Sequence, residues 1–175
     1  AEGTARALAD LAFVAFDKTD LPGAHALLAE AGVLAAPIAD VRLTAHIQQV
    51  RSALAAAAGD FAQAFALGYE NLGHYRELGD TWQSGILAWA VGLNAAALGR
   101  FDVARAHLRE CLQVGLDLGT RWGVSYPLEA FAVLAVAERQ YDRAARLFGA
   151  TRPKPRPTPR WTSSRTRASW ATPGS

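Results

Sequence analysis

Four histidines and one cysteine are the side chains of this 175-residue chain that best suit metal binding or nucleophilic chemistry. None of His25, His46, His74 and His107 has a second histidine four residues away, the spacing that places two ligands on one face of a helix. Cys111 falls where a helix should be buried, and we interpret it as a small core residue rather than a nucleophile. The sequence therefore predicts no metal site and no cofactor.

Motifs that hold phosphates or carry acid–base catalysis are also absent from the sequence. There is no G-x-x-x-x-G-K-[ST] loop and no G-x-G-x-x-G turn between a strand and a helix. Asp20, Asp60, Asp80 and Glu110 suit helix caps and solvated helix faces better than paired catalytic carboxylates. We therefore predict that the chain has no catalytic residue and is not an enzyme.

The residues that would build the scaffold follow a pattern that repeats every forty positions. One column of small residues holds Ala24, Ala64, Ala104 and Ala144. A second column, twelve residues upstream, holds Ala12, Ser52, Gly92 and Ala132. Leu21, Phe61, Phe101 and Tyr141 lie three residues before the first column. Such a period is typical of one supersecondary unit stacked on copies of itself.

The alanine-rich composition favours helices for this unit. In a hairpin of two antiparallel helices, the axes approach closely only where side chains are small, so the two small columns should face each other. Gly59, Gly79, Gly99 and Gly119 suit helix C-terminal caps. We predict an all-α fold, an α-solenoid of about four antiparallel helix pairs over residues 1–150. The predicted repeats cover 4–32, 38–78, 81–118 and 120–150. The predicted helices are 4–18, 22–31, 38–58, 61–78, 81–98, 102–118, 120–138 and 142–150, with Gly32 ending the second helix and a loop over 33–37.

The small residue of the first helix, the turn glycine, and the alanine three residues after an aromatic resemble the tetratricopeptide repeat, best at Gly92, Phe101, Ala104 and Leu108. The usual unit has about 34 residues, and this one has forty. The longer unit, with its "ELGDTW" and "DLGTRW" junctions and "YDRAARLFGA", resembles the helical repeat region of MalT-like and LuxR-like bacterial ATP-dependent transcription regulators over about residues 38–150. Repeat 1 departs from the pattern, because Pro22 and Gly23 replace the usual polar pair. The resemblance implies a cytoplasmic sensor segment whose ATPase and DNA-binding parts would lie outside this chain.

The first helix of each such repeat usually faces a concave surface. On that basis the candidate binding residues are His46, Gln49, Ile86, Trp89, Tyr126 and Glu129. Trp82 and Trp122 occupy matching positions, and we favour a role as wedges between successive helix pairs over a role in lining the groove. Trp89 and Tyr126 combine an apolar body with a polar tip, which suits ligand or peptide recognition.

Residues 151–175 differ sharply from the rest in composition. Residues 1–150 carry 12 Lys and Arg against 16 Asp and Glu, whereas the tail carries six basic residues and no acidic one. The tail could be a basic arm for nucleic acid or an acidic partner, an extended proline-rich ligand, or a disordered end. The interpretation that we favour from sequence alone is out-of-frame translation. If the codons at 151–155 end in G, a shift of two bases reads Ala-Ala-Glu-Ala, which would continue the last helix.

No apolar run approaches the roughly 18 residues of a membrane-spanning helix, and no signal peptide is recognisable, so we expect a cytoplasmic protein. The chain has no methionine, not even at position 1, and we interpret this as the mark of a piece of a longer protein or of a gene with an unusual start. We expect a non-catalytic scaffold that recognises a protein or effector within a transcriptional or signalling regulator. The alternatives are a small-molecule sensing domain, which a sealed aromatic pocket would favour, and nucleic-acid binding through the tail.

Overall fold

A computed structural model describes residues 2–151 of the chain. The predictions for the tail therefore lie outside the described residues, except at Thr151. Over this range the chain forms eight α-helices and no strand: α1 Glu2–Asp17, α2 Leu21–Ala35, α3 Val41–Ala57, α4 Phe61–Glu77, α5 Thr81–Ala97, α6 Phe101–Asp117, α7 Arg121–Ala137 and α8 Tyr141–Thr151. None of these helices has the length and apolar character required to traverse a lipid bilayer.

The helices stack in chain order. Each helix packs against the next one, and α1 also packs on α3 and α5 on α7. The even-numbered helices do not approach one another this closely in the described range. The two close contacts between alternate helices, α1 with α3 and α5 with α7, both involve odd-numbered helices, and we call that side of the stack the inner face and the side of the even-numbered helices the outer face. The prediction of an all-α solenoid of four helix pairs is confirmed.

Six of the seven inter-helix turns share one three-residue design. The middle residue of each turn has a positive φ angle; it is glycine at positions 59, 79, 99 and 119, and Thr19 and Arg139 at the other two turns. At the first of the glycine turns, the amide of Gly59 donates to the carbonyl of Ala56 and the amide of Asp60 donates to that of Ala55. This pairing is the Schellman motif, and it recurs at all six turns. The glycines therefore end helices in the predicted way.

The last residue of each turn precedes the next helix as its N-cap. Asp20, Asp60, Asp80 and Thr120 each accept a hydrogen bond from the backbone amide three residues further on. The side chain of Arg100, at the same position before α6, makes no such bond. Because the C-terminal cap and the N-cap are adjacent residues, each turn fixes the angle between its two helices with little freedom.

The seventh connection differs, and here the predicted boundaries were wrong. Gly32 does not end α2, which continues to Ala35, and the amide of Ala36 still donates to the carbonyl of Gly32. The link is 36–40, and α3 begins at Val41 rather than at residue 38. Asp40 determines this start, because its carboxylate accepts a 2.9 Å hydrogen bond from the amide of Leu43. The first helix pair is therefore joined to the second by a longer link than the later pairs.

The two columns of small residues lie buried in the interior. The structure brings them together at two crossings: the hydroxyl of Ser52 donates a 2.8 Å hydrogen bond to the carbonyl of Ala64, and a Cβ atom built on Gly92 would lie 3.3 Å from the carbonyl oxygen of Ala104. Ala12, Ala24, Ala132 and Ala144 are also buried. Any larger side chain at these crossings would push two helices apart. The apolar residues before the first column vary in burial, since Leu21 and Phe101 are half-buried while Phe61 and Tyr141 are exposed.

Candidate binding surface

Four aromatic side chains of α5 and α7 form a continuous array, which we call the aromatic surface: Trp82, Trp89, Trp122 and Tyr126. Trp122 is central to it, with its ring centroid 5.7 Å from Trp82, 5.9 Å from Trp89 and 5.0 Å from Tyr126. The rings of Trp89 and Tyr126 meet edge to face at 5.6 Å. These separations lie within the range in which aromatic rings attract one another.

Local sequence explains why the four rings meet. Trp82 and Trp122 are the second residues of α5 and α7, directly after the capped turns at Asp80 and Thr120. Trp89 follows Trp82 by two helical turns, and Tyr126 follows Trp122 by one, so each pair shares a face of its helix. Because α5 packs directly on α7, the two faces form one surface.

The four rings differ in exposure, and this difference separates their roles. Trp89 and Trp122 are half-buried and pack against a core cluster that includes Leu87 and Cys111. Trp82 and Tyr126 remain 41% and 42% exposed. Trp89 and Trp122 thus anchor the array in the fold, whereas Trp82 and Tyr126 leave part of their side-chain surface exposed to solvent. Exposed rings held in place by neighbours lose little conformational entropy when they bind a partner.

The other predicted concave residues lie on the same odd-numbered helices but do not all join the array. Ile86 and Glu129 lie on α5 and α7, half-buried and exposed respectively. His46 and Gln49 lie on α3, both half-buried. The Nε2 atom of His46 is 2.8 Å from a carboxylate oxygen of Asp10 on α1. The inner face therefore carries a polar contact between α1 and α3 and the aromatic surface at α5 and α7.

The outer face carries a second aromatic group that the sequence analysis missed. Tyr69 stacks on Phe65 within α4 at 5.8 Å and meets the ring of His107 on α6 edge to face at the same distance. The guanidinium of Arg100 lies 5.1 Å from the centroid of Phe65. Tyr69 is 52% exposed. The tyrosine four residues after Phe65 is the signal that could have found this group.

The spacing of His107 and Cys111, four residues apart on α6, was also passed over. It does not produce a reactive site. Burial, together with the nearby charge of Glu110, raises the pKa of the Cys111 thiol to about 11, so the group is a thiol at neutral pH. The nearby His107 and the guanidinium of Arg76 lower the pKa of Glu110, whose carboxylate Arg76 binds through two nitrogens. In the part of the chain that the structure describes, no three His, Cys, Asp or Glu residues gather as metal ligands.

Clefts also lie on the surface of residues 2–151 away from the aromatic surface, and three of them can be compared with it. One, of about 500 Å³, lies between the ends of α6 and α8 and the start of α7. The others, of about 480 Å³ and 190 Å³, flank Arg51 on α3, near the longer link. None of the three is lined by a phenylalanine, tyrosine or tryptophan. The four rings of the aromatic surface pack on one another and form an open surface, not the wall of one of these clefts.

Comparison with known proteins adds no family assignment. No protein-family model matches the chain, and no curated protein is significantly similar to it.

Proposed function

We propose that the chain is a non-catalytic, tetratricopeptide-like scaffold that recognises a protein or peptide segment on the aromatic surface of α5 and α7. The observation that carries the proposal is that two partly exposed rings, Trp82 and Tyr126, pack on two half-buried rings that lie against the core. Tryptophan and tyrosine in such settings supply much of the energy of protein interfaces.

An extended peptide suits this surface better than a small molecule. The four rings fill the space between α5 and α7 with their own contacts, at centroid distances of 5.0 to 5.9 Å. A small molecule needs a cavity that surrounds most of its area, whereas a peptide can lie across an open row of rings. This supports peptide or protein recognition over small-molecule sensing.

The wider role that we propose follows from the resemblance of the repeats to those of large bacterial regulators. In such a protein, a solenoid would recognise a partner in the cytoplasm and pass the event to ATPase and DNA-binding parts encoded elsewhere. The proposal rests on the repeat residues around Gly92, Phe101, Ala104 and Leu108, and on the two Trp junctions.

A display library of random twelve-residue peptides, selected against the full chain, tests the binding proposal. Selected peptides should bind the Trp82→Ala and Tyr126→Ala variants at least tenfold more weakly, since a hot-spot aromatic contributes about 2 kcal/mol or more. Tyr69→Ala is the matched control, because Tyr69 is an equally exposed tyrosine stacked on an aromatic ring of the outer face. Peptides that lose affinity only in the control variant, or in none of the three, would overturn the proposal.

A further inference from the structure

The first helix, α1, exposes apolar positions that are buried in every later odd-numbered helix. Val14 is 44% exposed, whereas the residues that follow it at intervals of forty positions are all buried. Ala7 is exposed in the same way, and its counterparts are buried as well. The counterparts of Val14 are Leu54, Asn94 and Leu134, and those of Ala7 are Ile47, Leu87 and Pro127. Because Ala7 and Val14 are two turns apart on one face of α1, that face is a packing surface that lacks a partner within residues 2–151.

The last helix, α8, shows the same exception at the opposite end of the stack. Phe148 is 42% exposed, whereas the residues at the matching positions, Leu28 of α2, Gly68 of α4 and Leu108 of α6, are buried. Tyr141, seven residues before Phe148, is exposed on the same face of α8. The described stack therefore leaves an apolar position uncovered at each end.

These two positions lie together where one helix pair packs on the next, a contact that we call a joint. At the joints between α2 and α3 and between α6 and α7, the residue that matches Phe148 belongs to the same core cluster as the residue that matches Val14. The matching residues are Leu28 with Leu54, and Leu108 with Leu134. A joint of the same kind formed by two copies would place Phe148 of one copy beside Val14 of the other.

The two ends of the stack also carry opposite net charges. Residues 2–35, which form the first helix pair, hold five acidic and two basic side chains, a net charge of −3. Residues 121–151, which form the last pair, hold four basic and three acidic side chains, a net charge of +1. Opposite charge favours an encounter of the first pair of one copy with the last pair of another over an encounter of two first pairs or two last pairs.

We propose that the chain associates with a second copy of itself head to tail, with α1 of one copy packed on α8 of the other as at an internal joint. The partner is a second copy because the chain carries both halves of the joint, one on each end and in the same register. The contact is heterologous, since each copy contributes a different surface, and a third copy can therefore add to either end. This inference concerns the ends of the stack and does not depend on the function proposed for the aromatic surface.

Sedimentation velocity of the full chain tests the inference. The average mass should rise with concentration between about 1 μM and about 1 mM, the range of dissociation constants expected for a moderate contact. Val14→Glu and Phe148→Glu should each weaken the association at least about tenfold, because either change places a charge in the apolar joint. Val103→Glu, at an exposed apolar position of α6 inside the stack, is the matched control and should associate like the unchanged chain.

A mixture of the two variants makes the outcome decisive. Each variant keeps one end intact, α8 in Val14→Glu and α1 in Phe148→Glu, so an equimolar mixture should form dimers that grow no further. Such dimers would also show that both variants are folded. An unchanged chain that stays monomeric at every concentration would overturn the inference, because another segment or another protein would then have to cover these ends. Undiminished association of either variant alone would overturn it as well, because the contact would then join other surfaces.

Discussion

The two ends of the inner face are both built from antiparallel helix pairs and differ in the side chains that they present. Between α1 and α3, Asp10 and His46 make a polar contact at this face. Between α5 and α7, eighty residues further on, the residues in contact are Trp82, Trp122 and Tyr126. The position of Arg42 in one repeat becomes tryptophan in the next two. A repeat scaffold can thus keep its helix crossings constant while single positions change the side chains that the inner face presents.

The connections differ between the same two ends. The first pair is joined to the second through five residues, 36–40, while the later pairs are joined through three-residue capped turns. Moreover, α6 and α7 approach so closely that a Cβ atom built on Gly123 would lie 2.5 Å from the Cα atom of Gly115. The aromatic surface therefore lies next to the closer helix contact, the one between α6 and α7. A close contact of this kind keeps the relative positions of the rings fixed.

The largest effect is expected where that tight junction is broken. Gly115→Ala should lower the free energy of unfolding by about 3 kcal/mol, because the new methyl group would meet the backbone of Gly123 and neither helix can yield by rotating a side chain. Chemical denaturation measures this change. Gly73→Ala, in α4 with open space around its Cβ position, is the control and should instead stabilise by about 0.5–1 kcal/mol. Equal effects of the two substitutions would contradict the close crossing.

A second prediction concerns the small columns. Ala104→Leu should destabilise the fold by about 1–3 kcal/mol, because Ala104 is fully buried where α6 crosses α5 at Gly92. Denaturation of Ala106→Leu, an exposed position on the same helix, provides the baseline. An unchanged denaturation midpoint for Ala104→Leu would refute the forty-residue register.

The sequence predicted the stack but not its tight junction. Small residues and turn glycines at fixed spacing identify helix pairs, because every repeat needs small side chains at its helix crossing and most need a glycine in the turn. Gly115 and Gly123 lie outside that pattern, since the matching residues in repeats 2 and 3 are Tyr75 and Gln83, so periodicity could not identify their contact. The link at 36–40 was misplaced because Gly32 resembles a helix stop, while the cap that begins α3 is Asp40.

The candidate surface was also predicted only in part, because periodicity identifies what the repeats share and not how two repeats pack together. Helical spacing placed Trp89 and Tyr126 on the inner face, and matching junctions paired Trp82 with Trp122. Trp122 contacts all three other rings because α5 and α7 pack closely. The residue pattern within one repeat does not predict this packing between repeats. Whether these residues bind a partner stays a prediction.

The energetic contrast between the two ends can be measured by double-mutant cycles. The pair Trp122 and Tyr126 should show a coupling energy of about 1 kcal/mol that salt hardly changes, since stacked rings attract without net charge. The pair Asp10 and His46 should show less than about 0.5 kcal/mol, because the Asp10 side chain is largely exposed and salt screens it. A stronger, salt-resistant coupling at Asp10 and His46 would reverse the comparison.

The smallest expected effect is a pH dependence on the outer face. The pKa of Glu110 is lowered in the folded chain, first by His107 and then by Arg76. Its contribution to stability should therefore be complete above the pKa of the unfolded carboxyl and be lost as pH falls through the lower, folded value. Glu110→Gln should flatten the acidic limb of a plot of stability against pH by less than about 1 kcal/mol, because the group is partly solvated. An unaltered acidic limb would show that this ion pair contributes nothing.

The most direct test of the central claim is a nuclear magnetic resonance titration. A peptide selected from the display library would be added to the full chain. We predict saturable shifts of the indole N–H signals of Trp82 and Trp122, with the amides around Asp10 and His46 unmoved. Shifts at α1 and α3 without movement of the two indole signals would contradict the assignment of the aromatic surface as the site of recognition.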